Sequence, residues 1–254
     1  MARPAVLITG GAKRIGAAIA RRFGEAGWHV VIHCNRSLNA ARELAAALPS
    51  AEAVHCDLAD TAAAVTLIEG LAARLDDWRV LVNCASIFAD DEAGMLDAAS
   101  FDRTMRVNAV TPSRMAQAFL AHSKAEGGRR VVDVTDQKVA NPNPDFFSYS
   151  MSKQALAATV PMLAMAATWP EDRVYALAPG AILPSYDQSP DEFEISGRLN
   201  LLRRVTRAEE VADAALFLAQ GWLASGATLF VDSGQHLLSQ PRDVMFLARE
   251  GASA

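Results

Sequence analysis

The sequence is poor in several things, and each shortage removes a class of function. Cysteine occurs three times in 254 residues, at Cys34, Cys56 and Cys84, without a CxxC pair. An odd, widely spaced set supports neither a disulfide framework nor a zinc site, so the three read as small buried apolar residues near strand ends. The five histidines do not cluster as ligands would, so no metal is expected, and His33 and His55 read as structural or surface residues. Uncharged apolar runs fall well short of the roughly 20 residues that a bilayer requires, which argues against a membrane partner. Basic runs are lacking too. Lysine and arginine occur singly or in pairs such as Arg21-Arg22 and Arg129-Arg130, and 24 basic against 29 acidic residues leave a net charge of −5. A nucleic-acid partner is therefore not expected. The first residues carry one arginine and run straight into Thr9-Gly10-Gly11 with no apolar leader, so the expected location is cytoplasmic.

What is abundant is apolar: 51% of residues are hydrophobic and 21% charged. Runs rich in β-branched residues recur at Ala5 to Thr9, Trp28 to His33, Ala53 to Cys56, Val80 to Cys84, Arg130 to Val134, Val174 to Leu177 and Thr228 to Val231. Ala-rich stretches between them have helical spacing. Ile15, Ile19 and Phe23 share one face, as do Val65, Ile68 and Leu71 to Leu75. Strands that are apolar throughout, rather than alternating, imply burial on both faces. The fold class is thus α/β: one doubly wound Rossmann-type domain with a parallel seven-stranded sheet and helices on both faces. No linker or repeat divides the chain, and this domain spans about residues 4–238. Residues 138–147 read as a loop before a helix starting near Tyr149, residues 181–203 as a long substrate loop, and residues 239–254 as an uninformative tail. Trp222 is expected in the core.

Three motifs carry chemistry. The first strand runs into Thr9-Gly10-Gly11-Ala12-Lys13-Arg14-Ile15-Gly16 and then a helix, the arrangement that lets backbone approach a pyrophosphate at a helix N-terminus. The second strand ends His33-Cys34-Asn35-Arg36-Ser37 without the acid that would bond a ribose 2′-hydroxyl. Arg36, with Lys13 and Arg14 nearby, suits a 2′-phosphate, so the expected cofactor is NADPH. Tyr149-x-x-x-Lys153 sets a phenol and an ammonium one helical turn apart. The ammonium is expected to lower the phenol's pKa from about 10 and make Tyr149 a general acid.

Together these motifs resemble the short-chain dehydrogenase/reductases over nearly the whole length, joined by Asp57-Leu58, Asn83-Cys84-Ala85-Ser86, Asn108 and Pro179-Gly180 in the family's order and spacing. The resemblance implies that Gly10, Lys13, Arg14, Ile15 and Gly16 hold the pyrophosphate side and Asn35, Arg36 and Ser37 the 2′-phosphate. It also implies that Asp57 and Leu58 border the adenine, that Asn83, Ala85 and Ser86 lie along the cofactor, and that Pro179, Gly180 and Ile182 flank the nicotinamide. Asn108 would hold a water in a proton relay, and a homotetramer or homodimer would be usual. The departures narrow the resemblance. Most family members have Gly where Arg14 stands and a catalytic Ser 13 residues before the Tyr, where this chain has Asp136. Asp136, Arg14, the Asn-x-Ala-Ser-x-Phe pattern and Arg36-Ser37 resemble the pteridine and dihydromonapterin reductases.

Chemistry gives those departures a meaning. An ionised carboxylate at position 136 would repel the oxyanion of a reacting carbonyl, whereas a pterin has ring nitrogens that must gain protons and an amino-pyrimidine edge that donates. The expected substrate site is therefore Arg14, Ser86, Phe88, Asp136 and Tyr149, with Phe88 stacked on a flat bicycle. Tyr186 is a further candidate contact. Two other readings stand beside a pteridine reductase acting on a small pterin-like molecule: a carbonyl reductase of a 3-oxoacyl thioester, quinone or ketone, and a non-catalytic dinucleotide-binding sensor.

Overall fold

The computed structural model describes residues 3–185 and 187–252. Among them, seven strands form one parallel sheet in the order β3-β2-β1-β4-β5-β6-β7. They are β1 (Ala5–Ile8), β2 (His29–Cys34), β3 (Ala51–His55), β4 (Trp78–Asn83), β5 (Arg130–Val134), β6 (Arg173–Pro179) and β7 (Thr228–Val231). Each expected strand is present, β5 and β7 with the expected ends and the others with ends displaced by at most two residues. Consecutive residues of an apolar strand serve opposite layers, because side chains alternate across a sheet. Val6 and Ile8 join one core with Ile19 and Phe23 of α1 (Arg14–Glu25), Leu44 of α2 (Leu38–Ala47) and Leu218 of α8 (Ala208–Ala219). Leu7 between them joins the other core, with Ile68 and Leu71 of α3 (Thr61–Arg74), Phe119 of α5 (Thr111–His122) and Val160 of α6 (Phe147–Ala166). The edge strands depart from the expected double burial: β3 and β7 are only half buried.

The chain crosses from β1 to β2 and β3 on one side, then returns to β4 on the other. The carboxyl ends of β1 and β4 therefore part at a topological switch point, where open α/β sheets form their ligand crevice. Before α5 comes α4 (Ala98–Met105) and a π-helical turn at Arg106–Val110, which inserts an extra residue and buries Asn108.

Four expectations change. The helix bearing Tyr149 begins at Phe147, after a 3₁₀ turn at Gln137–Val139. The 181–203 segment contains a helix, α7 (Pro190–Ser196), started by a capping box in which Ser189 Oγ accepts from Glu192 N–H and the Glu192 carboxylate accepts from Ser189 N–H. The tail folds as α9 (Val244–Ala252), with Val244, Met245 and Ala248 buried. Trp222 is not in the core: it is 73% exposed and meets Phe217 edge-on at 5.7 Å. Hydrophobicity argues for burial only one way, since much accessible surface is always apolar. Tyr186 lies outside the described residues. No helix among those described is long and apolar enough to cross a membrane.

Candidate active site

Above the carboxyl ends of the strands lies a cavity of about 840 Å³. Its first wall is the turn after β1. Gly10 has φ +65°, and a Cβ there would stand 2.9 Å from Ala85 Cα, while one on Gly16 would stand 2.4 Å from Gly10 O. Only glycine fits either place. Arg14 also adopts a left-handed conformation, φ +53°, which explains why glycine is the commoner residue there. Its guanidinium donates to Pro184 O at 2.9 Å and so ties the β1 turn to the 181–203 segment.

Two buried side chains hold this turn in place. Thr9 Oγ1 accepts from Cys84 and Ala85 N–H at 2.9 and 3.0 Å. His33 accepts from Gly10 N–H through Nδ1 at 3.3 Å and donates from Nε2 to Cys56 O at 3.0 Å. That pattern requires neutral imidazole, and burial lowers its pKa to about 4. At the cavity's far end Asn35, Arg36 and Ser37 follow β2, facing Asp57 and Leu58, and Arg103 of α4 lies 3.6 Å from Asp57.

The central wall carries the titratable groups. Tyr149 Oη donates to Asp136 Oδ2 at 2.6 Å, and Asp136 Oδ1 accepts from Lys138 N–H at 2.8 Å. Lys153 Nζ donates to Val134 O at 2.7 Å and lies 5.6 Å from the Tyr149 ring centroid. Burial dominates all three. It pushes Asp136 above its ordinary value, lowers Lys153, and, with the Asp136 carboxyl next in effect, pushes Tyr149 well above 10. The expected lowering of the phenol by Lys153 is thus overturned, because desolvation and an adjacent acid outweigh a cation that bonds a carbonyl instead. Burial also pushes the Cys84 thiol up to about 11, which leaves it a poor nucleophile.

Phe88 stacks on Phe146 (4.3 Å, 29°) and meets Tyr149 edge-on at 4.7 Å, so its ring borders the central wall. Ser86, Pro179, Gly180 and Ile182 line the same space. Two expected residues do not. Asn108 stands behind the wall, its amide donating to Ile87 O at 2.8 Å and Ser152 Oγ at 3.0 Å while Oδ1 accepts from Ile87 N–H at 2.7 Å. Both amide protons are committed, so the side chain clamps the backbone after β4. Asn83 is likewise buried, donating to Asp133 Oδ1.

The outer wall was foreseen only in part: the 181–203 segment was expected at the substrate, the tail was not. Asp243, Val244 and Met245 supply it from the start of α9, with Gln188, Phe193 and Ser196 from the α7 segment. Ion pairs bind this wall to the loop after β5: Lys138 to Asp243 at 2.7 Å, and Arg242 to the buried Asp145 at 2.9 Å. Arg249 joins α9 to Glu192 at 2.9 Å and to Asp187 at 3.1 Å. The Ser-x-x-Glu spacing at 189–192 was the signal that could have revealed α7.

A family model described as enoyl-(acyl carrier protein) reductase matches residues 10–236. A solved structure, that of alternative dihydrofolate reductase 1 (FolM) from Brucella suis in complex with NADP, superposes with a TM-score of 0.87 at 36% identity, covering 94% of this chain and 96% of that one. Among curated proteins, one from Streptomyces violaceoruber, assigned as ketoacyl reductase 2 of the granaticin polyketide synthase, is 31% identical over 92% of this chain and 97% of its own length. Pteridine reductase 1 of Leishmania tarentolae is 29% identical over 92% of this chain and 96% of its own.

Proposed function

The chain belongs to the short-chain dehydrogenase/reductase family, and from that premise we propose that this oxidoreductase is an NADPH-dependent pteridine reductase. The observation that carries the reading is the 2.6 Å hydrogen bond from Tyr149 to Asp136. A carboxyl group stands where carbonyl-reducing members carry a hydroxyl, half-buried on the cavity wall and raised in pKa by desolvation, and so able to hold a proton.

The cavity fits the dinucleotide on its own evidence. Gly10 and Gly16 leave room that a Cβ would fill, and no side chain among the described residues caps α1, so its first-turn N–H groups remain for a pyrophosphate. Lys13, Arg14, Asn35, Arg36 and Ser37 would hold the phosphates, Asp57 and Leu58 the adenine, and Ala85, Ser86, Pro179, Gly180 and Ile182 the remainder. Its size lies within the roughly 300–1,000 Å³ usual for ligand sites. NADP bound to the Brucella protein supports the choice of cofactor.

Bound NADPH supplies a hydride for the carbon of a C=N bond in a dihydropterin. The nitrogen must then gain a proton, and the side chains arrange its delivery. With Asp136 neutral the 2.6 Å contact runs the other way, Asp136 Oδ2–H donating to Tyr149 Oη and freeing the phenol proton. As the acid's proton passes to Oη the phenol gives its own to the substrate, leaving Asp136 as carboxylate and Tyr149 neutral throughout. The phenol never has to carry the charge that its burial disfavours. Lys153 holds the end of β5 and stabilises the new carboxylate. Phe88, with Arg14 and Ser86, would seat the bicycle.

The purified protein should oxidise NADPH with dihydromonapterin or dihydrobiopterin far faster than with ketones, and the opposite ranking removes the proposal. The polyketide relative favours a second reading, reduction of a 3-oxoacyl thioester. Asp136→Ser separates the two: pterin turnover falls if the first is right, and carbonyl turnover is kept or raised if the second is. Self-association in the cytoplasm belongs to the same proposal, supported by the exposed Met162, Met165 and Trp222. Sedimentation at equilibrium tests it, and a monomer at all concentrations refutes it.

A further inference from the structure

Asp133 is wholly buried on β5, three residues before Asp136, and is the register partner of Asn83 on β4. Asn83 Nδ2 donates to Asp133 Oδ1 at 2.8 Å and to Pro112 O at 3.3 Å. The other oxygen of each partner, Asn83 Oδ1 and Asp133 Oδ2, has no hydrogen-bond partner among the described residues. Both orphans therefore belong to one hydrogen-bonded pair in a buried interior, where unpaired acceptors are costly. A single proton satisfies both. Placed on Asp133 Oδ2 and donated to Asn83 Oδ1, it closes a ring of two reciprocal bonds between acid and amide.

We propose that Asp133 is a positioning residue kept as a neutral acid, locking β4 to β5 through this ring beneath the active site. The two strand ends lead directly into the segments that carry Ser86, Phe88 and Asp136, so the lock sets the spacing between the two walls of the substrate site. The charged groups facing Asp133 are few. Lys153 of α6 acts on it directly, and Lys153 also feels Cys84 after β4 and Asp136 after β5. With Asp133 neutral, Asp136 has Lys153 without a competing carboxylate. Burial lifts Asp133 to about 7, in agreement with the orphaned atoms. Ionisation above that value would open the ring and draw Lys153 away from Asp136.

Isotope-edited infrared spectroscopy of the full chain with labelled aspartate tests the protonation without any assay. At pH 6 a protonated-carboxyl band should be present in the wild type and lost in Asp133→Asn, which retains the ring as an amide pair. Loss of an ionised-carboxylate band instead overturns the proposal. The kinetic arm rests on the reductase reading. Asp133→Asn should keep kcat/KM at pH 6 within about twofold and lose an ionisation near pH 7 from its pH profile, while Asp133→Ala should lose about tenfold in kcat with NADPH binding retained. An unchanged profile in Asp133→Asn overturns the role in positioning. If no pterin is turned over, the reductase reading fails, and the infrared band still decides the state of Asp133.

Discussion

Asp136 and Tyr149 share one short hydrogen bond, and neither has the acidity it would have in water. Burial raises the carboxyl from its ordinary 3.8, so the proton that the proposed relay takes from it is present at low pH and is lost as pH rises through the raised value. Turnover of a dihydropterin should fall along the same limb. Asp136→Asn retains an acceptor for the phenol but has no acidic proton, so kcat should drop by roughly 10² to 10⁴, the usual contribution of a positioned acid. Its residual rate should no longer show that limb. Steady-state NADPH oxidation across pH measures both, and an Asn variant with wild-type kcat and slope would show that the proton comes from elsewhere. Arg14 carries a different lesson at this scale. Its φ of +53° costs about 1 to 2 kcal/mol relative to glycine, and the contact to Pro184 O is what the side chain obtains in return.

Among the elements, α9 alters the cavity most, because it walls the end proposed for the substrate and leaves alone the glycine turn proposed for the phosphates. Removing residues 240–254 should raise the substrate KM by about tenfold and leave NADPH affinity nearly unchanged, since the outer wall adds uniform binding only on the substrate side. Lys138 would then lose Asp243, and a buried cation without its partner destabilises. Arg242→Ala, which loosens α9 through Asp145 but spares Lys138, should show the same split in milder form. Fluorescence titration of NADPH beside substrate kinetics reads both, and a parallel loss of the two affinities would contradict the division. The strands were legible because each is an apolar run, buried from both sides in all but the edge strands β3 and β7, and the turn after β1 because glycine spacing reports backbone demands directly. The two helices of the outer wall were not, although the 181–203 segment was expected at the substrate. α7 is under two turns long with acids in its first turn, and α9 has only nine residues, so neither shows a sustained apolar period. Likewise no spacing rule announces that Asn108 and Asn83 turn inward, since their partners Ile87 and Asp133 meet them only through the π-helical turn and the strand register.

For the whole molecule, a net charge of −5 coexists with Lys13, Arg14, Arg36 and Arg103 lining one cavity, so charge total and charge placement answer different questions. Stability against pH depends likewise on which groups are buried. His33 is held neutral, with its pKa lowered from 6.5 to about 4. Between those values the unfolded chain binds a proton that the folded chain refuses, so this contribution is present above pH 6.5 and is lost as pH falls towards 4. Asp133 acts in the opposite sense. Its pKa is raised from 3.8 to about 7, the folded chain keeps a proton that the unfolded chain releases, and stability falls as pH rises through that window. Over the shared range the two slopes oppose each other, which flattens the wild-type profile. Asp133→Asn removes one of them and preserves the reciprocal bonds. The variant should match the wild type near pH 4 and gain steadily to about 4 kcal/mol at pH 7, at about 1.4 kcal/mol per unit of pKa difference. At about 2 to 4 °C per kcal/mol for a chain of this size, thermal melts between pH 4 and 8 would resolve the divergence easily. A Tm difference that is constant across that range, or that shrinks as pH rises, would mean that Asp133 is ionised in the folded protein and that the acid–amide ring does not exist.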